Sequence, residues 1–317
     1  MIKKYLVKIF FVFLMLAIAW ALFLLGGGKV KEKSSQANVF QPAGDVRLPQ
    51  SIDEEYFPIR DWSVDDPDVI ARSAVVVNFD KENGKDRVLF QKNSKEVLPI
   101  ASLTKVMTAM IALDNFSLDE KIKVSHDSVM TLGNKGGLIR GEELSVESLL
   151  YIMLIESSND AAMALARDGR IPYNDFISFM NQKVVDLGLE NTSFIDPAGL
   201  DPLNQSTAME FAFLVKQALN YPLIWDIFKI KETEVFSTDN KFIHSIVNTN
   251  KLLGKISLFR GGKTGYTNEA GECMMTLADV SASFSNNFLI TIVLGSQDRE
   301  EETEKLINWA RKAYLWQ

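Results

Sequence analysis

The sequence predicts an α+β fold: one antiparallel sheet flanked by helices, with a mostly helical lobe between its strands. Apolar runs bounded by turn residues cluster at the two ends of the region after residue 68, while stretches with helical apolar spacing fill its middle. Strands at both ends with helices between them close most simply as a single sheet covered by helices. The 317-residue chain is 47% apolar, which is ample for such a core.

In order, the first element is a hairpin. Ser73 to Phe79 and Arg87 to Gln91 read as strands, joined by a turn from Asp80 to Lys85 that contains Asn83-Gly84. Pro99-Ile100-Ala101-Ser102 then leads into apolar helix formers from Leu103 to Leu113, so Ser102 falls at a helix N-terminus. A second helical stretch covers Val146 to Ile155, breaks at Glu156-Ser157-Ser158-Asn159, and resumes from Ala161 to Ala166. Polar residues interrupting so apolar a region predict a buried turn that presents side chains into a cleft. Helices follow at Tyr173 to Leu187 and Ala208 to Leu219, the second introduced by the capping box Thr207-x-x-Glu210. Gly261 to Gly265, Glu272 to Val280 and Phe288 to Gly295 read as strands, and Glu300 to Tyr314 as a closing helix.

Ahead of this region, Ile9 to Leu25 is an unbroken apolar run preceded by Lys3, Lys4 and Lys8. Extended back to Tyr5, with Lys8 snorkelling, it is long enough to span a bilayer, and residues 1–33 are expected to form an uncleaved, single-pass membrane anchor. A cleavable signal is the rival reading, but its apolar core is normally shorter, and Gly26-Gly27-Gly28 is a poor small-x-small site. Lys29, Lys31 and Lys33 beyond the run blunt the positive-inside signal. Residues 34–68 mix Ser, Gln, Pro, Asp and Glu without a period and read as a linker, leaving 69–317 as the enzyme domain.

The net charge of -7 argues against nucleic acid as a partner, because phosphate binding needs a basic surface. Cys273, the one cysteine, cannot form an internal disulfide, and with only His126 and His244 available no zinc framework is expected. No metal and no cofactor is expected.

The chemistry lies in three motifs: Ser102-Leu103-Thr104-Lys105, Ser157-Ser158-Asn159 and Lys263-Thr264-Gly265. A serine hydroxyl becomes a nucleophile only when a base takes its proton, and a lysine can serve only if held neutral. Lys105, one turn after Ser102, is on the same helix face, and a neighbouring cation, Lys263, would depress its pKa. Ser157 can relay the proton to a leaving amine, and Asn159 can hold a substrate amide. Gly262 and Gly265 leave room for a peptide along the strand, Thr264 can donate to its carboxylate, and the backbone N–H groups of Ser102 and Tyr266 would receive an oxyanion. Each residue has a plainer alternative. Ser102 could cap a helix, Ser157 and Asn159 could satisfy a buried loop, and Lys263 could be an edge-strand charge. Ser285 starts a second Ser-x-Asn and reads as a turn residue. Glu156 is expected to pair with a surface lysine. His126-Asp127 invites a Ser-His-Asp reading, which the lack of a Gly-x-Ser-x-Gly elbow disfavours.

The triple is that of class A β-lactamases and penicillin-binding proteins. From Leu98 to Lys105, Glu156 to Ala162 and Gly262 to Thr267, the chain resembles the low-molecular-mass penicillin-binding proteins of the D-alanyl-D-alanine carboxypeptidase family. Asn191-Thr192-Ser193-Phe194, Pro197-x-Gly199-Leu200, Ser206-Thr207-Ala208, Asn248-Thr249-Asn250 and Ala270-Gly271-x-Cys273 are similar to its intervening signatures. The resemblance spans about residues 70 to 316. It implies a β-lactamase/transpeptidase-like fold, Ser102, Lys105, Ser157, Asn159 and Lys263 as catalytic residues, and Thr264, Gly265 and Tyr266 as substrate-binding residues. It also implies a substrate that is a peptidoglycan stem peptide ending in D-Ala-D-Ala, β-lactams as inhibitors, and a site outside the cytoplasmic membrane. Arg299, with Thr303 and Lys305-Leu306, is similar to the family's carboxylate-binding arginine segment, although Glu300 stands where a phenylalanine is usual. The chain closes directly after its last helix, so a β-rich second domain is not expected, and endopeptidase cleavage of crosslinks is the runner-up activity. A class A β-lactamase should carry Glu-x-x-Leu-Asn between the second and third motifs, which is missing. A membrane-tethered β-lactam sensor should carry more sequence before Ile9.

Overall fold

The uninterrupted Val75-Val76-Val77 run is explained by a strand buried on both faces. In a computed structural model that describes residues 58–80, 84–133, 136–280 and 287–316, it lies in strand β1 (Ala71–Asp80). β1 pairs with β2 (Lys85–Lys92), completing the hairpin. Three later strands, β3 (Phe259–Thr267), β4 (Gly271–Asp279) and β5 (Asn287–Ser296), complete one five-stranded sheet in the order β3-β4-β5-β1-β2. All neighbours are antiparallel, and the two ends of the domain meet where β5 pairs with β1, Thr291 opposite Val76.

Alternate side chains sort to the two faces, as a period of two requires. Val75, Val77, Met275, Leu277, Ile290 and Ile292 join the core shared with the helical lobe: α1 (Lys105–Asn115), α2 (Val146–Ile155), α3 (Asn159–Met163), α4 (Tyr173–Asp186), α5 (Ala208–Ala218) and α6 (Pro222–Phe228). Val76, Met274, Ala278, Leu289 and Val293 pack on the other face against Leu306, Ile307 and Ala310 of α7 (Arg299–Ala313). The fold is thus the α+β arrangement that the hydrophobic patterning predicts.

Side-chain caps set where the helices start. The hydroxyls of Ser145, Ser158 and Thr207 accept N–H bonds from Ser148, Ala161 and Glu210, and Asp298 accepts from Glu301. Only half of the expected capping box forms. The Glu210 carboxylate turns to the Asn191 backbone N–H and the Thr192 hydroxyl, tying α5 to the loop after α4.

Residues 58–68, expected as the end of the linker, are fixed to the domain. Ile59–Arg60 pairs with Tyr314–Leu315, and the Trp309 indole donates to the Asp65 carbonyl at 2.9 Å. The Arg60 guanidinium sits 5.2 Å from the ring centres of both Trp62 and Trp309, so distant aromatic partners hold a stretch that looks polar and irregular. The anchor expected over 1–33 and the linker up to residue 57 lie outside the described residues. Among the described residues, no helix is long and apolar enough to cross a membrane.

Candidate active site

Ser102 lies in a tight turn, Ala101–Thr104, that runs directly into α1. Ala101 has φ 47°, a left-handed conformation that an alanine holds only at a cost of about 1–3 kcal/mol. Two glycines make room for this turn. A Cβ on Gly199 would fall 1.9 Å from the Ala101 carbonyl oxygen, and one on Gly265 would fall 2.9 Å from the Ser102 nitrogen. The space that Gly265 frees is therefore taken by the Ser102 turn rather than by a substrate. Gly262 likewise faces the neighbouring strand, where its Cβ would lie 2.3 Å from the Met275 carbonyl.

The Ser102 hydroxyl does not cap the helix; it lies 2.8 Å from Lys105 Nζ. Lys105 is fully buried, and its Nζ also meets Asn159 Oδ1 at 2.7 Å and the Ala198 carbonyl at 2.6 Å. These last two partners can only accept hydrogen bonds. A neutral amine fits the arrangement, with its two N–H groups pointing to the acceptors and its lone pair to the Ser102 O–H. Burial pushes the Lys105 ammonium down to about 7, against the pull of the Asp196 and Asp160 carboxylates.

Lys263, on edge strand β3, is also fully buried, and its Nζ donates to Ser157 Oγ at 2.6 Å and to the Thr264 carbonyl at 2.9 Å. Burial, then the charges of Lys105 and Arg299, hold it well below the ordinary lysine range. The sequence suggests a neighbouring cation, Lys263, as the cause of a lowered Lys105, whereas burial comes first. Burial is the largest cause of the lowering at both lysines.

The second motif divides its work. Ser158 caps α3, while Ser157, held left-handed at φ 66°, points at Lys263. Asn159 has both ends of its amide engaged, Oδ1 with Lys105 and Nδ2 with the Leu132 carbonyl at 2.9 Å, so it positions the amine as well as lining the cleft. Thr264 shares a 2.7 Å hydrogen bond with the Thr249 hydroxyl. Tyr266 is 60% exposed, and its phenol donates to Asn268 Oδ1 at 3.1 Å. Arg299, the first residue of α7, donates from Nη1 to the Gly265 carbonyl at 3.1 Å and from Nε to Glu300 at 3.2 Å. The structure thus gathers all nine residues singled out from the sequence around one strand edge and one helix start.

Three supporting residues were missed. The Asp196 carboxylate accepts the Ala198, Gly199 and Asp201 backbone N–H groups at 2.7 Å each, and so shapes the loop whose carbonyl meets Lys105. The buried Asp160 accepts from Gly136 and Ala161 and from the Ser158 hydroxyl, holding the residues on either side of Asn159. Thr249 orients Thr264. Asp160 and Thr249 fall within the quoted signatures, and Asp196 stands directly before Pro197-x-Gly199-Leu200. Glu156 has its carboxyl raised by burial and by Asp160, opposed by His244. His244 itself is buried against Glu142, Nε2 to Oε2 2.9 Å, and that hydrogen bond raises its pKa. His126 is exposed, and Asp127 is paired with Arg167. Ser285 lies outside the described residues.

A sheet of this order, with the serine turn, the lysine pair and the Lys-Thr-Gly strand closing on one cleft, is the penicillin-binding, transpeptidase-type fold. It superposes on the Streptomyces K15 DD-transpeptidase with TM-score 0.69 at 27% identity, covering 78% of this chain and 98% of that one. A D-alanyl-D-alanine carboxypeptidase structure from Mycobacterium tuberculosis H37Rv is similar, with TM-score 0.69 and 27% identity over 80% of this chain and 95% of that one. Residues 61–298 match the S11 peptidase family, described as D-alanyl-D-alanine carboxypeptidase, and the chain belongs to that family. Among curated relatives, the D-alanyl-D-alanine carboxypeptidase DacF of Bacillus subtilis is 35% identical over 254 residues, 77% of this chain but 63% of the relative. A D-alanyl-D-alanine endopeptidase of Pseudomonas aeruginosa is 32% identical over 233 residues, 73% of this chain and 74% of the relative.

Proposed function

We propose that the chain is a serine-type D-alanyl-D-alanine carboxypeptidase that removes the terminal D-alanine from peptidoglycan stem peptides through an acyl-enzyme on Ser102. The observation that carries this reading is the Lys105 amine, buried, neutral in its hydrogen-bond pattern and 2.8 Å from Ser102 Oγ. Ser102 Oγ attacks the carbonyl carbon of the penultimate D-alanine while its proton passes to Lys105. The Ser102 and Tyr266 backbone N–H groups receive the oxyanion. Ser157, bridged to Lys263, delivers a proton to the leaving nitrogen as the C–N bond breaks, and D-alanine departs. Water then attacks the ester, the serine recovers its proton, and the shortened peptide is released. Thr264 and Arg299 bind the terminal carboxylate, a pairing of opposite charge that a free D-alanine end requires. β-Lactams acylate the same serine and are its inhibitors.

Residues 69–317, with 58–68 fastened to them, form the catalytic domain in this reading. The apolar run Ile9 to Leu25 tethers it on the outer side of the cytoplasmic membrane, across residues 34–57. Endopeptidase action on crosslinks is the second reading. It is favoured by the Glu300 carboxylate already paired with Arg299. Incubation with a D-Ala-D-Ala stem peptide and with a crosslinked dimer, followed by mass measurement, separates the two. Loss of one alanine residue from the peptide supports the first reading, whereas scission of the dimer with the peptide intact supports the second.

A further inference from the structure

Arg299 is presented to the cleft already neutralised. Its Nε donates to Glu300 Oε1 at 3.2 Å and its Nη1 to the Gly265 carbonyl at 3.1 Å, while its own backbone N–H is taken by Glu272 at 3.0 Å. The side chains of Arg299 and Glu300 are only 14% and 16% exposed, so water screens the pair incompletely. Carboxylate oxygens of Glu272, Asp298 and Glu300 lie within 4.8 Å of one another, with Glu300 the one that meets the guanidinium. A carboxylate binds guanidinium best through two parallel N–H bonds. With Nε on Glu300, the Nε–Nη2 edge of the guanidinium is closed to two-point binding of a second carboxylate.

We propose that Glu300 is a specificity-determining residue: it occupies the Arg299 edge that a terminal substrate carboxylate would use, and so disfavours free D-alanine ends relative to substrates uncharged at that position. This rests on Arg299 acting as the carboxylate donor of the reading above. A substrate carboxylate must displace Glu300 and meet the repulsion of its charge. A leaving group without a charge there meets neither obstacle.

The test is steady-state cleavage of a D-Ala-D-Ala stem peptide and its C-terminally amidated form by the full chain, by Glu300→Gln and Glu300→Ala, and by each change combined with Arg299→Ala. Loss of the Glu300 charge should lower KM for the free acid about three- to tenfold with kcat unchanged, leave the amide unchanged, and do nothing once Arg299 is gone. Parallel changes with acid and amide, or no change in either variant, overturn the proposal. So does the same effect in the Arg299→Ala background. Should the wild type cleave neither peptide, the carboxypeptidase reading fails on its own. Glu300 is then judged by the rate of acylation by a penicillin, whose ring carboxylate carries the same charge. A faster rate in both variants supports the proposal, and an unchanged rate refutes it.

Discussion

Acylation of Ser102 should switch on with pH through the neutral range. The amine must be unprotonated to accept the serine proton, and burial brings Lys105 from an ordinary 10.5 to about 7. At pH 5 only about 1% of the amine would be neutral, and at pH 8 about 90%, so the acylation rate should climb roughly a hundredfold from pH 5 to a plateau above pH 8. An unshifted lysine would be about 0.3% neutral at pH 8, and the rate would keep rising tenfold per pH unit through pH 10. The assay is the second-order rate of labelling by a fluorescent penicillin, read in gels across pH 5 to 10. Lys105→Arg, which stays protonated throughout, should lose about a hundredfold or more at the plateau. A rate independent of pH below 8, or one still climbing beyond pH 9, would refute the neutral-amine argument, as would near wild-type labelling by the arginine variant.

The same shift predicts a stability signature. Between pH 7 and 10.5 the unfolded chain holds a proton that folded Lys105 has released, so stability should rise with pH by about 1.4 kcal/mol per unit; Lys105→Met should lose that part of the slope in urea denaturation at pH 7.5 and 9. Gly199→Ala places a methyl 1.9 Å from the Ala101 carbonyl at a φ of 83°, and should both lower the melting temperature and suppress penicillin labelling, whereas wild-type labelling would dismiss the packing argument. Arg299→Ala should reduce kcat/KM about ten- to a hundredfold on the free-acid peptide, with little loss on its amide.

Much of the fold is legible in the chain because local patterning and burial agree. The Val75 to Val77 run, the Thr207 cap and the polar break at Ser157 to Asn159 each report a feature that their own neighbours determine. The motif residues are legible because their chemistry restricts residue type at fixed spacing. What was not legible depends on distant partners. Arg60 is held by Trp309, at the far end of the chain, and Glu210 is drawn from its capping box by Asn191 and Thr192. Asp196 and Asp160 look like surface acids until the fold turns backbone N–H groups onto them. The leading cause of the Lys105 shift, burial, was hidden for the same reason. A neighbouring cation can be guessed from a motif, but the depth of a side chain is a property of the whole core.

The most direct test of the acyl-enzyme claim is intact-mass and peptide-mapping analysis of the chain quenched in acid during turnover of a D-Ala-D-Ala stem peptide. The account predicts a covalent adduct equal to the peptide less one alanine, mapped to Ser102 and absent from Ser102→Ala, with free D-alanine released in step. D-Alanine release with no adduct on Ser102, or an adduct that persists in Ser102→Ala, would contradict it.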